Sequence, residues 1–227
     1  MKMNRHVKKF LFFFVPILAI LLAWLGFETV STNPIGWFLI VVGVLFSIGI
    51  LIAFLFKGKN LWEGSDLKEP ILQERDDRSF WFVTLGMILA FYLPPIEYLY
   101  LDFPVSPSPS LIHIGLGFII MGSIVFVYAR HVLRRWYSGH LSVQADQVLI
   151  QHGPYRFVRH PAYLGYLLMA VGICLGYASL IGVINIVFLL ICFQYRMKVE
   201  EKILVDHFGD LYLQYAQKTK KIILLIW

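Results

Sequence analysis

Two polar segments in the second half of the chain carry the residue types that could do chemistry. The first covers residues 153–163 and reads GPYRFVRHPAY, and the second covers 196–201 and reads RMKVEE. Both lie directly beside long apolar runs, where fixed charges are energetically costly and usually mark a functional site. Guanidinium groups bind carboxylates and aromatic rings bind cations, so this set of side chains suits the recognition of a charged ligand.

Arg196 and Glu200 are four residues apart and therefore share one face of a helix. One interpretation is an ordinary ion pair at the membrane surface, which would stabilise the helix by only a few tenths of a kcal/mol. The other is that both charges point into a cavity, with Arg196 facing a carboxylate and Glu200 facing a cationic or hydroxyl-bearing group. The spacing alone is compatible with both interpretations.

His160-Pro161 marks the expected start of a helix in the first segment. Proline is favoured in the first helical turn because its fixed φ angle suits the helix and its missing N–H needs no partner. The backbone N–H groups that follow Pro161 are then free, at a positive helix end that suits an anionic ligand group. The alternative interpretation is that the aromatic and basic side chains of this segment only anchor the chain at the membrane interface, namely Tyr155, Arg156, Phe157, Arg159 and Tyr163.

The rest of the chain has the composition of a membrane protein. Of its 227 residues, 59% are hydrophobic and 15% are charged, and soluble domains do not sustain the repeated apolar runs that it contains. Those runs cover residues 10–27, 35–56, 80–101, about 111–129 and 162–195. The first four each have the length that crosses about 30 Å of hydrocarbon, so the sequence predicts an all-α integral membrane protein.

The last apolar run is too long for a single crossing. Its 34 residues would form a helix of about 51 Å at 1.5 Å per residue, and Gly176, Ser179 and Gly182 offer a place for the chain to turn. We therefore predict two short helices that form a hairpin, which gives about six transmembrane segments in all. A cytoplasmic, amphipathic helical segment is expected after the hairpin.

The positive charges predict the orientation. All 20 lysine and arginine residues fall within four segments, namely 1–9, 57–79, 130–161 and 196–227. The connections at 28–34, 101–110 and 176–182 contain none of them. With six crossings, every positive charge and both termini lie on the cytoplasmic side, in agreement with the positive-inside rule. The net charge of +6 is then explained by topology and attraction to anionic lipid, and nucleic acid is not expected as a partner.

A cleaved signal peptide is the alternative interpretation of the first span, because a basic segment precedes it. Its apolar stretch is long for a signal peptide, and the Glu28-Thr-Val-Ser sequence that follows is a poor cleavage site. We therefore favour a membrane-spanning helix.

The polar residues divide the chain into two parts. Residues 1–105 are predicted to form a scaffold of three spans, and residues 106–227 hold the fourth span, a connector, the hairpin and a C-terminal cover. In the cover, apolar residues recur at helical spacing from Ile203 to Tyr215, with a break at Gly209. Neither part contains a Ser-His-Asp order, a His-x-x-x-His pair or a cysteine cluster, which argues against a hydrolase or a metal enzyme.

The remaining polar residues within the spans are assigned no chemistry. Glu97 and His113 lie near the expected outer ends of the third and fourth spans and are predicted to lie at the membrane interface. Cys174 and Cys192 lie within the hairpin helices, in no metal-binding or redox spacing, and are predicted to be buried apolar residues.

From about Gln144 to Tyr215 the chain resembles the isoprenylcysteine carboxyl methyltransferases and their prokaryotic relatives. The resemblance is carried by residues 147–150 (QVLI), 153–155 (GPY), 159–163 (RHPAY), Arg196, Glu200-Glu201 and 208–215 (FGDLYLQY), in this order and beside the helical hairpin. It covers about a third of the chain, and the first three spans match only as generic membrane helices.

The resemblance implies an S-adenosylmethionine-dependent methyltransferase whose cofactor binds between the hairpin and the C-terminal segment. It assigns the cofactor contacts to a strand-like segment (Gln147, Val148, Leu149, Ile150) and to Tyr155, His160, Pro161, Ala162, Tyr163 and Glu200. Arg196 would face the substrate carboxylate, that of a C-terminal isoprenylcysteine or a similar lipophilic acid, and membrane lipid would surround the protein. No metal is implied, because a methyl group on a sulfonium is already activated and its transfer needs in-line positioning in a dry pocket.

Other acceptors and another class of protein stay open. By the same resemblance, related membrane enzymes methylate phospholipid amines or small thiols. A non-enzymatic membrane scaffold or a small transporter is the further alternative, although a pure scaffold would not need Arg196, Glu200 and the His160-Pro161 turn together.

Overall fold

The computed structural model describes residues 5–55, 70–73, 77–101, 106–136, 142–144 and 146–222. In chain order its elements are α1 (Arg5–Val30), α2 (Ile35–Leu55), β1 (Pro70–Gln73), α3 (Asp77–Tyr100), α4 (Pro109–Leu133), β2 (Ser142–Gln144), α5 (Pro161–Gly176), α6 (Leu180–Phe208) and α7 (Asp210–Lys218). Single turns of 3-10 helix cover Arg134–Trp136 and Gly153–Arg156. The described residues thus form a bundle of helices with a small two-stranded sheet.

The apolar runs of the sequence correspond to helices. The first four runs match α1, α2, α3 and α4, with ends that differ by a few residues. Among the described residues, three helical spans are long and apolar enough to cross a membrane, namely Ser79–Tyr100, Pro109–Leu133 and Leu180–Phe208. Shorter apolar helical stretches cover Pro16–Val30, Ile35–Leu45 and Pro161–Gly176.

The outer surface of the bundle is apolar. On α4, Ile124 and Val127 are 63% and 64% exposed, and on α6, Ile184 and Ile191 are 70% and 66% exposed. Such an extended apolar exterior would be unfavourable in water and suits contact with lipid. Together with the long apolar helices, it makes the chain an integral membrane protein, as the composition predicted.

Glycines let α4 and α5 pack with their backbones in contact. A Cβ atom at Gly122 would lie 2.5 Å from the carbonyl oxygen of Gly165, and one at Gly165 would lie 2.7 Å from that of Gly122. Both distances are far inside van der Waals contact, so this close approach requires residues without a side chain, as in other membrane helix pairs. The contact fixes the position of α5, whose first turn belongs to the predicted site.

A two-stranded antiparallel sheet departs from the predicted all-α fold. β1 pairs with β2, with Leu72 opposite Val143. β1 lies in the charged segment 57–79 and β2 in the connector after the fourth span, and the sequence predicted no strand at either place. Val143 is buried against Ile203 of α6, so the sheet packs on the helix that carries the predicted site. In contrast, residues 147–150, predicted to be strand-like, belong to no strand.

The predicted hairpin is present, but its second helix is not short. α5 and α6 are joined at residues 177–179, within the predicted turn region. α6 has 29 residues and continues through Arg196 and Glu200 to Phe208. The polar residues after the apolar run are mostly good helix formers, such as lysine and glutamate, and therefore extend the helix. One continuous helix thus links the interior of the bundle to the predicted site.

Glu97 is a helix cap inside the protein, so the prediction of an interfacial carboxylate is wrong. Its side chain is 3% exposed and accepts hydrogen bonds from the Ser179 hydroxyl and from the backbone N–H groups of Leu180 (3.1 Å) and Ile181 (3.2 Å). The first N–H groups of a helix have no partner within it, and the helix dipole favours a negative charge there. Glu97 thus joins α3 to the start of α6. His113 is exposed, which is compatible with its predicted place at the interface.

The end of α1 and the loop that follows it are joined to the same turn by hydrogen bonds. The side-chain amide of Asn33 donates to the carbonyl oxygen of Gly176 at 2.7 Å, and the hydroxyls of Thr29 and Tyr177 lie 2.9 Å apart. Asn33 and Thr29 are completely buried, where each polar group needs a partner. The α5–α6 turn is therefore held from two sides, and the opposite ends of these helices carry the predicted site.

Candidate functional site

A cavity of about 300 Å³ lies at the end of the bundle where α3 and α5 begin and where α4 and α6 approach their ends. It is lined from α3 by Phe80, Val83, Thr84 and Met87; from α4 and the following turn by Phe126, Leu133 and Trp136; from the connector by Val143, Gln147, Val148, Leu149, Ile150, Tyr155, Arg159 and His160; from α5 by Pro161, Ala162, Tyr163 and Tyr166; and from α6 and α7 by Arg196, Glu200, Ile203, Leu204, Phe208, Tyr212 and Tyr215. Small-molecule sites have volumes of about 300–1,000 Å³, so the cavity can hold a small ligand.

All the residues that the sequence assigned to the site line this one cavity. They come from 147–150, from 155–163, and from Arg196 and Glu200 on α6. The structure thus brings them together, while the individual role of each residue remains a prediction. Arg156 and Phe157 are exposed instead, so the interfacial-anchor interpretation fits these two neighbours and not the residues that line the cavity.

Arg196 is buried although it carries a charge. Only 6% of the surface of Arg196 is exposed. Its Nε atom donates a hydrogen bond to the Tyr163 hydroxyl at 3.1 Å, and Nη1 lies 3.4 Å from the hydroxyl oxygen of Ser79. The centroid of the Phe80 ring lies 5.8 Å from Cζ of the guanidinium, which is a cation–π distance. These contacts fix the guanidinium in one orientation at the cavity wall.

Tyr163 connects Arg196 to Glu200. Its hydroxyl accepts the hydrogen bond from Arg196 and donates one to Oε2 of Glu200 at 3.1 Å. The Tyr163 ring is held in turn by the rings of His160 and Phe193, with centroid distances of 5.6 and 4.9 Å. A hydroxyl from α5 thus joins the two charges of α6. This arrangement favours the cavity interpretation of Arg196 and Glu200 over an ordinary ion pair at the surface.

His160 lies between two carboxylates. Its Nδ1 atom is 3.7 Å from Oε2 of Glu200, and its Nε2 atom is 3.4 Å from Oε1 of Glu201. Contacts at both nitrogens hold the imidazole ring in one orientation. α5 begins directly afterwards at Pro161, and the His160 side chain makes no capping hydrogen bond to it.

Glu201, to which the sequence assigned no role, fastens the wall of the cavity to the C-terminal segment. Its Oε1 atom accepts a hydrogen bond from Nε of Arg159 at 2.8 Å, and its Oε2 atom lies 2.9 Å from Nζ of Lys221. Arg159 also donates through Nη1 to the carbonyl oxygens of Ala216 (2.8 Å) and Thr219 (2.5 Å). The Glu201 side chain is 16% exposed, a setting in which ion pairs are worth more than at an open surface.

The end of the described chain also pairs with the backbone before α5. The N–H group of Arg159 donates to the carbonyl of Lys220 at 2.7 Å, and that of His160 donates to the carbonyl of Lys221 at 3.0 Å. Ile222 is 3% exposed and packs into the core. This stretch is therefore part of the structure that supports the site, which the sequence did not predict.

A short helix, α7, follows α6 in the segment that the sequence predicted as a C-terminal cover. α6 ends at Phe208, and Gly209 adopts a φ of 54°, a left-handed conformation that glycine tolerates, before α7 begins. Tyr212 and Tyr215 of α7 line the cavity, and the Tyr215 hydroxyl donates to the carbonyl oxygen of Tyr155 at 2.7 Å. Burial raises the pKa of Tyr215 to about 12, so this hydroxyl stays protonated at neutral pH.

α3 contributes to the cavity although the sequence placed it in the scaffold part. Phe80, Val83, Thr84 and Met87 line the cavity at the i, i+3, i+4, i+7 spacing of one helical face. That spacing is a detectable signal in principle. α3 is apolar around most of its circumference, however, so the residues that line the cavity cannot be distinguished in the sequence from those that face lipid or the core.

The arrangement can bind a small molecule with both charged and apolar parts. One region of the cavity carries Arg196, Glu200 and His160, and another is formed by aromatic and aliphatic side chains of α3, α4 and α5. In the part of the chain that the structure describes, no group of His, Cys, Asp and Glu side chains is suited to hold a metal ion.

The chain is similar to known membrane methyltransferases. A family model described as phospholipid methyltransferase matches residues 111–211. The protein-S-isoprenylcysteine O-methyltransferase of Saccharomyces cerevisiae is 31% identical over 109 residues, which are 47% of this chain and 46% of the yeast protein. Two rice proteins named probable protein-S-isoprenylcysteine O-methyltransferases are matched over 58% of their length. The chain thus spans about half the length of these curated relatives.

Two further comparisons extend over more of the chain. The solved structure of the eukaryotic intramembrane Ras methyltransferase, isoprenylcysteine carboxyl methyltransferase, superposes with a TM-score of 0.56, covering 99% of this chain and 88% of that one at 19% identity, which shows a shared fold. Protein-S-isoprenylcysteine O-methyltransferase A of Arabidopsis thaliana is 30% identical over 143 residues, which are 60% of this chain and 73% of the plant protein. With this extent of similarity to the plant protein, and with its motifs gathered around one cavity, the chain belongs to the isoprenylcysteine carboxyl methyltransferase family.

Proposed function

We propose that this protein transfers a methyl group from S-adenosylmethionine to the carboxylate of an isoprenylcysteine, or of a similar lipophilic acid, at the face of the membrane. One observation carries the proposal: a buried guanidinium, Arg196, is linked through the Tyr163 hydroxyl to Glu200 on the wall of a single cavity. The names of the relatives, which are isoprenylcysteine O-methyltransferases, support the same reaction.

S-adenosylmethionine fits the polar region of the cavity. Its ammonium and sulfonium groups are cationic, and the cavity is lined by the Glu200 carboxylate and by the aromatic residues Tyr155 and Tyr163, groups that attract cations. Its amino-acid carboxylate is anionic and suits the start of α5 at Pro161, because the first backbone N–H groups of a helix have no partner within it. We assign the binding of the cofactor to the residues that the sequence indicated, from 147–150, Tyr155, 160–163 and Glu200.

The acceptor must be aligned and desolvated for the reaction. When bound, S-adenosylmethionine would supply a methyl group that an ionised carboxylate could take by displacement, with the carbon–sulfur bond breaking and S-adenosylhomocysteine leaving as the neutral thioether. Arg196 would hold that carboxylate by charge-assisted hydrogen bonds, while Tyr163 keeps the guanidinium at a fixed distance from Glu200. Precise alignment of this kind can supply a large part of a rate enhancement.

The apolar region of the cavity suits a lipid chain. Val83 and Met87 from α3, Phe126 from α4 and Tyr166 from α5 line it. An isoprenoid buried there would gain about 25 cal/mol for each Å² of apolar surface removed from water. A lipid-soluble substrate would enter from the membrane, whereas the cofactor would enter from the aqueous side.

A phospholipid amine is the second candidate acceptor, because the family model that matches is described as phospholipid methyltransferase. The charge of the site argues against it. A protonated amine would approach the buried guanidinium of Arg196, and like charges in a poorly hydrated site repel each other strongly. A small thiol has no such conflict, but it would leave the apolar wall of the cavity without a partner.

A methyl-transfer assay with three acceptors tests the proposed function. Radiolabelled S-adenosylmethionine is supplied with a farnesylcysteine analogue, a small thiol or phosphatidylethanolamine vesicles. We expect transfer to farnesylcysteine, and the product should release its label as methanol in base, because esters hydrolyse whereas thioethers and methylamines do not. Transfer to the thiol or the amine alone would overturn the carboxylate assignment. Transfer to none of the three acceptors would contradict the proposal that the protein is a methyltransferase.

We also propose six crossings, by α1 to α6, with both termini in the cytoplasm. The support is the charge distribution, since all 20 lysines and arginines fall in segments that this topology places on one side. In a background in which Cys174 and Cys192 are replaced by alanine, Lys220→Cys should react with a membrane-impermeant maleimide only after the cytoplasmic face is opened. Ser110→Cys, at the exposed start of α4, should react in intact cells. The reverse pattern would refute this orientation.

A further inference from the structure

Two tyrosines of α7, three residues apart, differ in how their hydroxyl groups are satisfied. Tyr212 is 2% exposed and Tyr215 is 6% exposed, and both line the cavity. The Tyr215 hydroxyl donates a hydrogen bond to the carbonyl oxygen of Tyr155 at 2.7 Å. The Tyr212 hydroxyl is buried and has no hydrogen-bond partner among the described residues.

A buried hydroxyl without a partner is unfavourable. Nearly all buried polar groups in proteins are hydrogen-bonded, and each exception calls for a physical reason. Leaving one unpaired costs about 1–3 kcal/mol, and phenylalanine would fill the same space without that cost. The hydroxyl of Tyr212 therefore adds nothing favourable to the protein by itself, and it belongs to a residue in the wall of a cavity that can hold a ligand.

We infer that Tyr212 is a ligand-binding residue whose hydroxyl donates a hydrogen bond to the S-adenosyl cofactor. This inference rests on the proposed function, and it adds a contact from α7 to the cofactor residues assigned from the sequence, which all precede α7. It gives the C-terminal cover a direct part in recognition, beyond closing the cavity.

Charged side chains at the polar region of the cavity act on Tyr212. The charged groups that act on it are Glu201, Arg159 and Glu200, which lie in the polar region of the cavity or fasten its wall. Burial, followed by the charge of Glu201, raises the pKa of Tyr212 well above its usual range. The hydroxyl is therefore protonated at neutral pH and acts as a donor.

The test compares Tyr212→Phe with Tyr215→Phe, each of which removes one hydroxyl and little else. S-adenosylhomocysteine is the probe, its affinity is measured by calorimetry, and the melting temperature is measured without ligand. Tyr212→Phe should weaken binding about threefold to tenfold, the usual worth of one hydrogen bond, and should leave the ligand-free melting temperature unchanged or raise it. Tyr215→Phe should lower the ligand-free melting temperature, because it removes the hydrogen bond from the Tyr215 hydroxyl to the Tyr155 carbonyl.

The outcomes separate this inference from the proposed function. If the wild type binds S-adenosylhomocysteine and Tyr212→Phe binds it equally well, the inference is wrong and the proposed function stands. A lower ligand-free melting temperature, or a failure to fold, for Tyr212→Phe would show that the hydroxyl has a structural partner, which also overturns the inference. If the wild type itself does not bind the probe, both proposals fail together.

Discussion

Replacing Arg196 by lysine should reduce methyl transfer to a farnesylcysteine analogue by about 100-fold or more, while the affinity for S-adenosylhomocysteine changes by less than about twofold. The loss corresponds to two charge-assisted hydrogen bonds, each of which contributes about 1.5–3 kcal/mol. Lysine keeps the positive charge, but its ammonium cannot reproduce the planar, two-pronged contact that a guanidinium makes with a carboxylate. The expected loss is therefore one of geometry and not of charge.

The surroundings of Arg196 explain why lysine cannot compensate by moving. The guanidinium is held by the Tyr163 hydroxyl, by Ser79 and over the Phe80 ring, and each of these contacts uses a different part of its plane. A lysine ammonium at the end of a flexible chain can satisfy one of them at a time. We expect a lower kcat and a higher KM for the acceptor, since Arg196 itself is not among the proposed cofactor contacts.

Lys198→Ala is the matched control, because Lys198 lies two residues further along α6 and is exposed. It should keep nearly full activity. The melting temperature of Arg196→Lys shows whether the variant is folded, and the binding of S-adenosylhomocysteine shows whether the cofactor side is intact. A folded Arg196→Lys variant that methylates farnesylcysteine at more than about a tenth of the wild-type rate would contradict the assigned role of Arg196, since about 1.4 kcal/mol corresponds to tenfold.

The sequence predicted the helices well because length and hydropathy decide where a chain can cross a membrane. The predicted length of α6 was wrong because it, too, was taken from hydropathy. The apolar run ends near Tyr195, but a helix does not have to end where the hydrocarbon ends, and α6 continues to Phe208. Hydropathy reports the solvent around a helix, whereas the helix itself ends at Gly209, where the backbone adopts a positive φ.

The partners of buried charges could not be predicted in the same way. Glu97 caps α6 through Ser179, which lies 82 residues away along the chain, and no local pattern connects the two. Tyr163 could be assigned to the site, but its position between Arg196 and Glu200 depends on how α5 packs against α6. Contacts between distant segments depend on how the helices pack, and no local pattern in a single sequence predicts them.

Motifs located the site residues because their chemistry is local to short segments. The same approach missed the support of the site, which is spread over the chain. Glu201 is adjacent to Glu200 in the sequence, but its role follows from Arg159 and Lys221, which reach it from both sides. α3 was likewise missed, since Ser79 and Phe80 lie at the start of an apolar span and gave no signal of their own.

Replacing Glu200 by glutamine should weaken the binding of S-adenosylmethionine by roughly 5-fold to 150-fold, the equivalent of about 1–3 kcal/mol for a lost contact to a charged group. The substitution keeps the size of the side chain and its contact with the Tyr163 hydroxyl, so that the change is mainly one of charge. Because the Glu200 side chain is 34% exposed, solvent screens part of the effect, and we expect the lower half of that range. Calorimetry on the purified protein measures it.

Comparing S-adenosylmethionine with S-adenosylhomocysteine shows which cationic group Glu200 serves. The first carries a sulfonium and an ammonium, whereas the second carries the ammonium alone. If Glu200 faces the sulfonium, Glu200→Gln should weaken the binding of S-adenosylmethionine more than that of S-adenosylhomocysteine, whereas equal losses would assign it to the ammonium. Asp206→Asn is the matched control, since Asp206 is an exposed carboxylate on the same helix and should change neither affinity. If Glu200→Gln also binds both ligands as tightly as the wild type, the carboxylate has no part in cofactor binding, and its hydrogen bond with Tyr163 serves only to position Arg196.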